Sequence, residues 1–383
     1  MKILEKIVDF LTSLRLTVVC LAMSLVLVFA GTIAQVNLGL YLVQERYFHS
    51  LFVFWTPSGT HLKIPVWPGG YLLGGLLLAN LIAAHVQRFQ FTKKKIGIFM
   101  VHFGLILLFL GQFMTDLFAT ESHLRLEEGQ TKNYSESDRK SELVLVDVTD
   151  PQRDRIIAIP ESRLRPGAEL AVPDSPLKVR VKNYFKNSTT DAGAAGAVAS
   201  PKTSEGFGAR AQFFEAPIVV DPNLRNMPSA VIELAGPKGS LGSWFVSTML
   251  SAPQQLVYDN RTYQLEMRFA RFYKPYQIQL LHFSHEQYVG TVVPKNFASR
   301  IRLTRPTTGE DREVLIYMNN PLRYDGTTYY QAGFDDKKAG VTILQVVRNP
   351  SWLTPYLSVT LVGAGLVVQF MSHLFGFVKR RIA

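Results

Sequence analysis

Only one of the 383 residues is a cysteine, Cys20. That excludes an intramolecular disulfide, a thiol redox pair and a cysteine-rich zinc site, and Cys20 reads as a small apolar residue near the start of a hydrophobic run. No Cys-x-x-Cys-His run is present, so the chain carries no covalent c-type haem of its own. It also lacks a Gly-rich phosphate loop, a serine nucleophile elbow and any carboxylate pair whose spacing demands catalysis, so no catalytic residue is assigned. Charge is scarce: 19% of residues are charged and 47% are hydrophobic, against roughly 25% charged in soluble proteins. The apolar residues must therefore be clustered or deeply buried.

The formal charge of +11 would by itself admit nucleic-acid binding, so its placement decides. Residues 119–351 hold 29 basic and 26 acidic residues, whereas the mostly apolar remainder holds 12 basic and 4 acidic. A surplus confined to apolar sequence points to a lipid bilayer and away from nucleic acid.

Crossing a hydrocarbon core takes about 20 helical residues, and four stretches qualify: 16–35, 69–86, 96–118 and 355–377. Lys2 and Lys6 before the first run resemble the start of a signal peptide. Further spans and the lack of a clear Ala-x-Ala site favour an uncleaved helix. Basic flanks stay in the cytoplasm. Lys2, Lys6 and Arg15, the basic link from Arg88 to Lys95, and the tail Lys379–Arg381 all fall on one side if the spans alternate. The expected topology has both termini cytoplasmic, a short outer loop 38–68, residues 119–354 outside the membrane, and a fourth span with a basic tail over 355–383. Runs such as ELVLVDV, LKVRVKNYF and TYQLEMRFARFY predict strands. The expected fold class is a polytopic α-helical membrane protein with four transmembrane helices and a large β-rich extracytoplasmic domain, sandwich or barrel-like. Residues 187–211, rich in Ala, Gly, Ser and Thr, read as a mobile loop, and 242–252 as a short surface amphipathic helix.

The spans contain His85, His102 and His373. Ionisable side chains at membrane depth usually face the bundle interior or a partner. At 1.5 Å per residue His102 lies about 9 Å inside the cytoplasmic end of its helix and His373 about 6 Å from the same surface; His85 is close to it as well. Gly97, Gly104 and Gly111 recur every seven residues along one face of the third span, where another backbone can approach closely. His102, five residues from Gly97, is turned roughly 140° from that face, towards a cavity or a second subunit. Gln369, four residues before His373, is placed to orient its ring. Such imidazoles suit axial ligation of haem iron, or a hydrogen bond between helices, or, for His85 beside Arg88, a ring reaching to the headgroups. Spacing alone does not identify haem. Gly70, Gly74, Gly75, Ala79 and Ala83 in the second span read as a tight helix contact, and Asn80 as a polar bond to another helix. His282 and His285 would suit a metal only on a helix and otherwise read as polar residues of a strand or loop.

Several longer segments carry a resemblance: LTSLRLTVV at Leu11–Val19, GTIAQ at Gly31–Gln35, KIGIFMVHFGLILLFLG at Lys95–Gly111, FYKPYQIQLLHFSHEQYVGTVVPKNFASRIRL at Phe272–Leu303, MNNPLRYDGTTYYQAGF at Met318–Phe334 and LQVVRNPSW at Leu344–Trp352. On these the chain resembles the ResB (CcsB) family of System II cytochrome c biogenesis proteins. The resemblance implies a subunit of a cytochrome c synthase that helps bring haem b, a substrate in transit, across a bacterial inner membrane. It implies a Trp-rich CcsA/ResC-type membrane partner, apocytochrome c as client and a thioredoxin-like thiol reductant. It maps the family's intramembrane haem ligand onto His102, with the trans ligand from the other subunit, and maps no family ligand onto His85 or His373. The four tryptophans, Trp55, Trp67, Trp244 and Trp352, are scattered and form no haem platform, so this chain resembles the stand-alone subunit and is not expected to attach haem alone. The competing reading is a membrane-anchored scaffold whose outer domain binds a protein or envelope ligand without haem. A transporter is disfavoured by four spans without inverted repeats.

Overall fold

The computed structural model describes residues 2–57, 60, 62–88, 92, 95–219, 224–287, 290, 294–335 and 338–382. It divides into two compact units, Met1–Thr120 with Asn349–Ala383, and Glu121–Val219 with Asn223–Arg348.

The first unit is helical. In chain order it contains α1 (Lys2–Leu11), α2 (Leu14–Val43), α3 (Gly70–Arg88), α4 (Ile96–Phe118) and α6 (Thr354–Ile382), while α5 (Phe207–Arg210) is a single turn in the second unit. Four of these helices are long and apolar enough to cross a membrane. Large apolar side chains stand exposed on them, Val36 at 84% and Leu25 at 72%, as on a surface that lipid covers. The helical unit is that of a membrane protein.

Helix ends depart from expectation in two places. The first span does not stop at Gln35: α2 continues to Val43 and bends at Gly39, whose φ of 72° is open to glycine. Ahead of it, α1 is a separate ten-residue helix, too short to register as a span. The break falls at Thr12–Ser13, where the Ser13 hydroxyl caps α2 by accepting from the Arg15 amide at 3.2 Å. Asn80 on α3 closes this corner. It accepts from the Thr17 hydroxyl at 2.6 Å and donates to the Leu11 and Ser13 carbonyls at 2.6 and 3.1 Å, the expected bond between helices. Between α2 and α3 lies the hairpin of β1 (Phe52–Trp55) and β2 (Ile64–Pro68), whose Trp67 indole donates to the Met23 carbonyl at 3.3 Å.

The glycines of α4 pack as expected, and the partner is α6. A Cβ on Gly97 would lie 2.7 Å from the Gln369 nitrogen and the Gly365 oxygen; one on Gly104, 3.0 Å from the Ser358 oxygen; one on Gly111, 2.6 Å from Thr354. As α4 ascends its partners descend, so the helices are antiparallel. Asn349 and Thr115 tie the ends together by a side-chain hydrogen bond of 3.2 Å. The small residues of α3 behave differently from expectation. A Cβ on Gly70 would meet the Phe48 carbonyl at 2.5 Å, but nothing lies within 4 Å of one on Gly74 or Gly75. Among the described residues Gly70 thus faces a backbone, while Gly74 and Gly75 do not.

The second unit is β-rich. Its strands are β3 (Thr120–Glu127), β4 (Thr131–Asp147), β5 (Arg155–Pro160), β6 (Glu169–Ala171), β7 (Lys178–Phe185), β8 (Ser188–Thr189), β9 (Val198–Ala199) and β10 (Phe214–Glu215). They continue with β11 (Ser229–Gly236), β12 (Gly239–Ser247), β13 (Gln254–Tyr258), β14 (Arg261–Gln287) and β15 (Pro294–Arg305). The last are β16 (Glu310–Tyr317), β17 (Leu322–Tyr324), β18 (Thr327–Phe334) and β19 (Val341–Arg348). Ten of them form one sheet in the order β16-β15-β14-β4-β3-β19-β18-β17, with β13 and β5 added on β14 and β4. Its two end strands, β16 and β17, are joined by a tight turn at Tyr317–Asn320 and lie against each other, which brings the sheet near closure. Both expected architectures are present. The β12-β11-β7-β6 sheet covers one half of the large sheet as a sandwich over Leu143, Leu265, Ile232 and Val181, and the other half curls into a barrel around Leu126, Ile278, Ile301 and Leu344. The long strands β4 and β14 run through both.

Residues 242–252 are not an amphipathic helix: Gly242–Ser247 belongs to β12. Trp244 and Val246 enter the sandwich core, while Phe245 between them packs with Phe185 and Phe213 on the other face, a period of two. The segment expected as a mobile loop, 187–211, contains β8, β9 and α5. It is tied by Asn187 to the Pro217 carbonyl at 2.7 Å and by Ser188 to the Met227 carbonyl at 2.7 Å. Its small residues sit where side chains crowd: a Cβ on Gly208 would lie 2.6 Å from that of Phe245.

Gly97→Val should lower the thermal unfolding midpoint of the detergent-solubilised protein, overpacking costing about 1–3 kcal/mol, whereas Gly75→Ala, into open space, should leave it within error. A thermal melt of both variants checks the difference.

Candidate functional site

Placing the glycines of α4 on α6 decides where His102 faces. Five residues from Gly97, it projects to another side of the helix, and its ring meets His85 of α3 with centroids 4.8 Å apart and planes at 86°. The contact joins two antiparallel neighbours at matching depth, His85 three residues before the end of α3 and His102 six after the start of α4. Phe99, one turn earlier on α4, lies 6.2 Å from the His85 ring and stacks on Phe103 at 6.0 Å, giving the imidazoles an apolar flank.

The ring meets another helix of its own chain, where the helical wheel anticipated a cavity or a second subunit. His102 is half-buried, and its Nδ1 is buried with no hydrogen-bond partner among the described residues. Leaving such an atom unsatisfied costs about 1–3 kcal/mol, a cost that a turn of the ring towards a group outside this chain would relieve. The two rings do not form a trans pair on one iron as they stand. Bonds of about 2 Å on opposite faces of a metal would need a porphyrin plane between them, and an edge-to-face contact leaves no such slab.

His373 is placed differently. Its ring is exposed, and its Nε2 is 2.7 Å from Nε2 of Gln369, the partner that the four-residue spacing suggested. Gln369 is itself held against Gly97 through its backbone. Among the described residues no group of three or more His, Cys, Asp or Glu could hold a metal.

Two histidines of the β-rich unit lie on β14. His282 pairs with Glu128 at 2.9 Å, while His285 stacks on Phe297 and Phe334 with centroids 4.9 and 4.3 Å away. Three residues apart on a strand, they do not chelate one ion. Cys20 is 2% exposed within α2, packed with Leu16, Leu27 and Leu73.

Two matches to known proteins bear on this arrangement. Residues 239–361 match the ResB-like family. The chain is also 22% identical over 302 residues to Protein NrfI of Wolinella succinogenes, an alignment that covers 78% of this chain and 30% of that protein. Together they support a ResB/CcsB-type assignment. The chain thus spans less than a third of the curated relative's length. The ResB-like segment runs from β12 to the first turns of α6, so it includes β14 to β19 of the barrel half and leaves β3, β4, α3 and α4 outside.

The contact of His85 with His102 was not legible in the sequence, although their similar depths were. Pairing them required knowing that α3 and α4 are neighbours and which face of α4 the glycines take. In lipid nanodiscs, diethyl pyrocarbonate should modify His282, whose side chain is 68% exposed, well before His102. Peptide mapping by mass spectrometry reads the order, and equal rates would contradict the placement of His102.

Proposed function

We propose that the chain is a non-autonomous membrane subunit of a System II cytochrome c synthase. It helps move haem b across the membrane and deliver it to apocytochrome c outside, together with a Trp-rich CcsA/ResC-type partner and a thioredoxin-like reductant that keeps the client thiols reduced. The ResB/CcsB-type assignment supports the setting. The observation that carries the reading is the His102 imidazole, turned off the α6 contact, with a buried nitrogen that no described residue satisfies.

In this reading haem is the cargo. His102 in its neutral form donates a lone pair to one axial position of the iron, and the second axial position is filled from outside this chain, because His85 lies edge-on to His102. His85 limits the rotation of the His102 ring, and Phe99 and Phe103 exclude water beside it. Attachment adds each client thiol across a porphyrin vinyl group. Sulfur bonds to one vinyl carbon, the thiol proton ends on the other, and no net oxidation occurs. This chain supplies no thiol, since Cys20 is buried in α2, and no nucleophile is required of it. The basic flanks of the helices support an orientation in the bacterial inner membrane with both termini cytoplasmic and the unit Glu121–Arg348 periplasmic, positioned to receive apocytochrome.

The test is co-expression with the Trp-rich partner, purification, and measurement of bound haem together with cytochrome c maturation. Loss of groups that only orient a metal ligand costs about 10–100-fold in affinity, so His102→Ala should lower haem occupancy at least that far and depress maturation with it. Full haem and normal maturation in that variant would refute the role. Absence of haem from the wild-type complex would favour the haem-free scaffold.

A further inference from the structure

The strand pairing within the barrel lobe contains an irregularity that builds a second site. From Tyr273 to Ile278, β14 advances five residues while β4 passes only from Tyr134 to Lys132. The surplus residues, Lys274 to Gln277, bulge from the ladder, and a pocket opens beside them, lined by Lys132, Lys274, Tyr134, Tyr276, Tyr329 and Leu124 among others. None of its lining residues is Asp or Glu.

Its floor is satisfied. The hydroxyls of Tyr276 and Tyr329, each 1% exposed, bond each other at 2.8 Å. Its lysines are not matched by charge. The Lys132 ammonium donates to the Arg125 carbonyl at 2.9 Å and lies 5.6 Å from the centre of the Tyr134 ring, neither of which is an anion. The neighbouring carboxylates are engaged elsewhere: Glu136 accepts from Arg271 at 2.9 Å, and Asp325 lies 3.8 Å from Arg305. Among the described residues neither ammonium has a carboxylate within ion-pair distance.

Burial pushes the pKa of both lysines below the usual amine value. Arg348 adds to this at Lys274 against the pull of Asp325, and Arg271 and Arg125 do so at Lys132 against Glu136 and Glu127. An incoming anion would offset the cost of burying both ammonium groups. The pocket is small and partly open, with room for about one water-sized atom. One oxygen of a carboxylate enters such a space, while a ring does not.

We propose that the bulge of β14 forms a carboxylate-binding subsite in which Lys132 and Lys274 hold one carboxylate of an incoming ligand. The subsite lies in the outer unit and does not depend on the role of His102. The carboxylate has two possible sources, a propionate of the porphyrin cargo or an acidic residue of a protein partner, and both present the same group.

The test uses the full-length protein in its co-expressed membrane complex. In the first arm, lysines are labelled with a succinimidyl ester in sodium acetate and, for comparison, in sodium chloride of equal ionic strength. Acetate should slow labelling of Lys132 and Lys274 severalfold and leave the exposed Lys186 and Lys202 unchanged. In the second arm a water-soluble carbodiimide joins touching amines and carboxylates as amides, being itself hydrated to a urea. Mass spectrometry should recover Lys132 or Lys274 as an amide. An added porphyrin mass identifies a propionate, and an added peptide mass identifies a protein partner. Labelling indifferent to acetate, or neither amide while Lys186 and Lys202 are cross-linked, overturns the proposal.

Discussion

The contact between α4 and α6 is the constraint on which the membrane unit depends. In lipid there is no hydrophobic gain in bringing two helices together, so close packing of backbones has to supply the association. Gly97, Gly104 and Gly111 allow it by meeting the backbone or side chains of Gln369, Gly365, Ser358 and Thr354 at distances a Cβ would fill. Fixing one face of α4 fixes the others. The imidazole of His102 cannot turn to α6 and is presented to α3, where His85 meets it edge-on. The chemistry proposed for the helical unit is thus a consequence of a packing surface that carries no chemistry.

A comparable economy organises the β-rich unit. Strands β4 and β14 each serve two cores, the sandwich around Leu143 and Leu265 and the barrel around Leu126 and Ile278. A strand that crosses from one curvature to another must break its register, and β14 does so between Tyr273 and Ile278. The break leaves Lys274 beside Lys132 in a pocket without a carboxylate. Polar side chains at the junction compensate only in part: the tyrosine pair closes the floor and arginines engage the nearby acids, while among the described residues no carboxylate forms an ion pair with either lysine.

Much of this was legible in the sequence because it is one-dimensional. Apolar runs gave the four spans, with 96–118 reproduced as α4 to the residue, and alternation gave the strands. The glycine repeat gave the packed face of α4, and the spacing of Gln369 and His373 gave their bond. What was not legible needed a second element. Gly74 and Gly75 looked like a helix contact but face nothing. The stretch after Gly242 carries Trp244, Phe245 and Val246, which a wheel cannot distinguish from an alternation until two cores exist to receive them. Small residues in 187–211 suggested looseness, yet they answer to crowding by Phe245 and Pro217. The contact of His85 with His102 depended on the neighbour of α4, which no spacing within one helix contains.

The central claim is that His102 reaches the iron of haem in transit. It is tested most directly by exchanging the ligand atom and reading the iron. In the haem-loaded complex, the near-infrared magnetic circular dichroism of the ferric form reports the axial pair. His102→Met should move that band to the position of an axial pair that contains methionine, whereas an unchanged band would place the ligand on another residue and contradict the account.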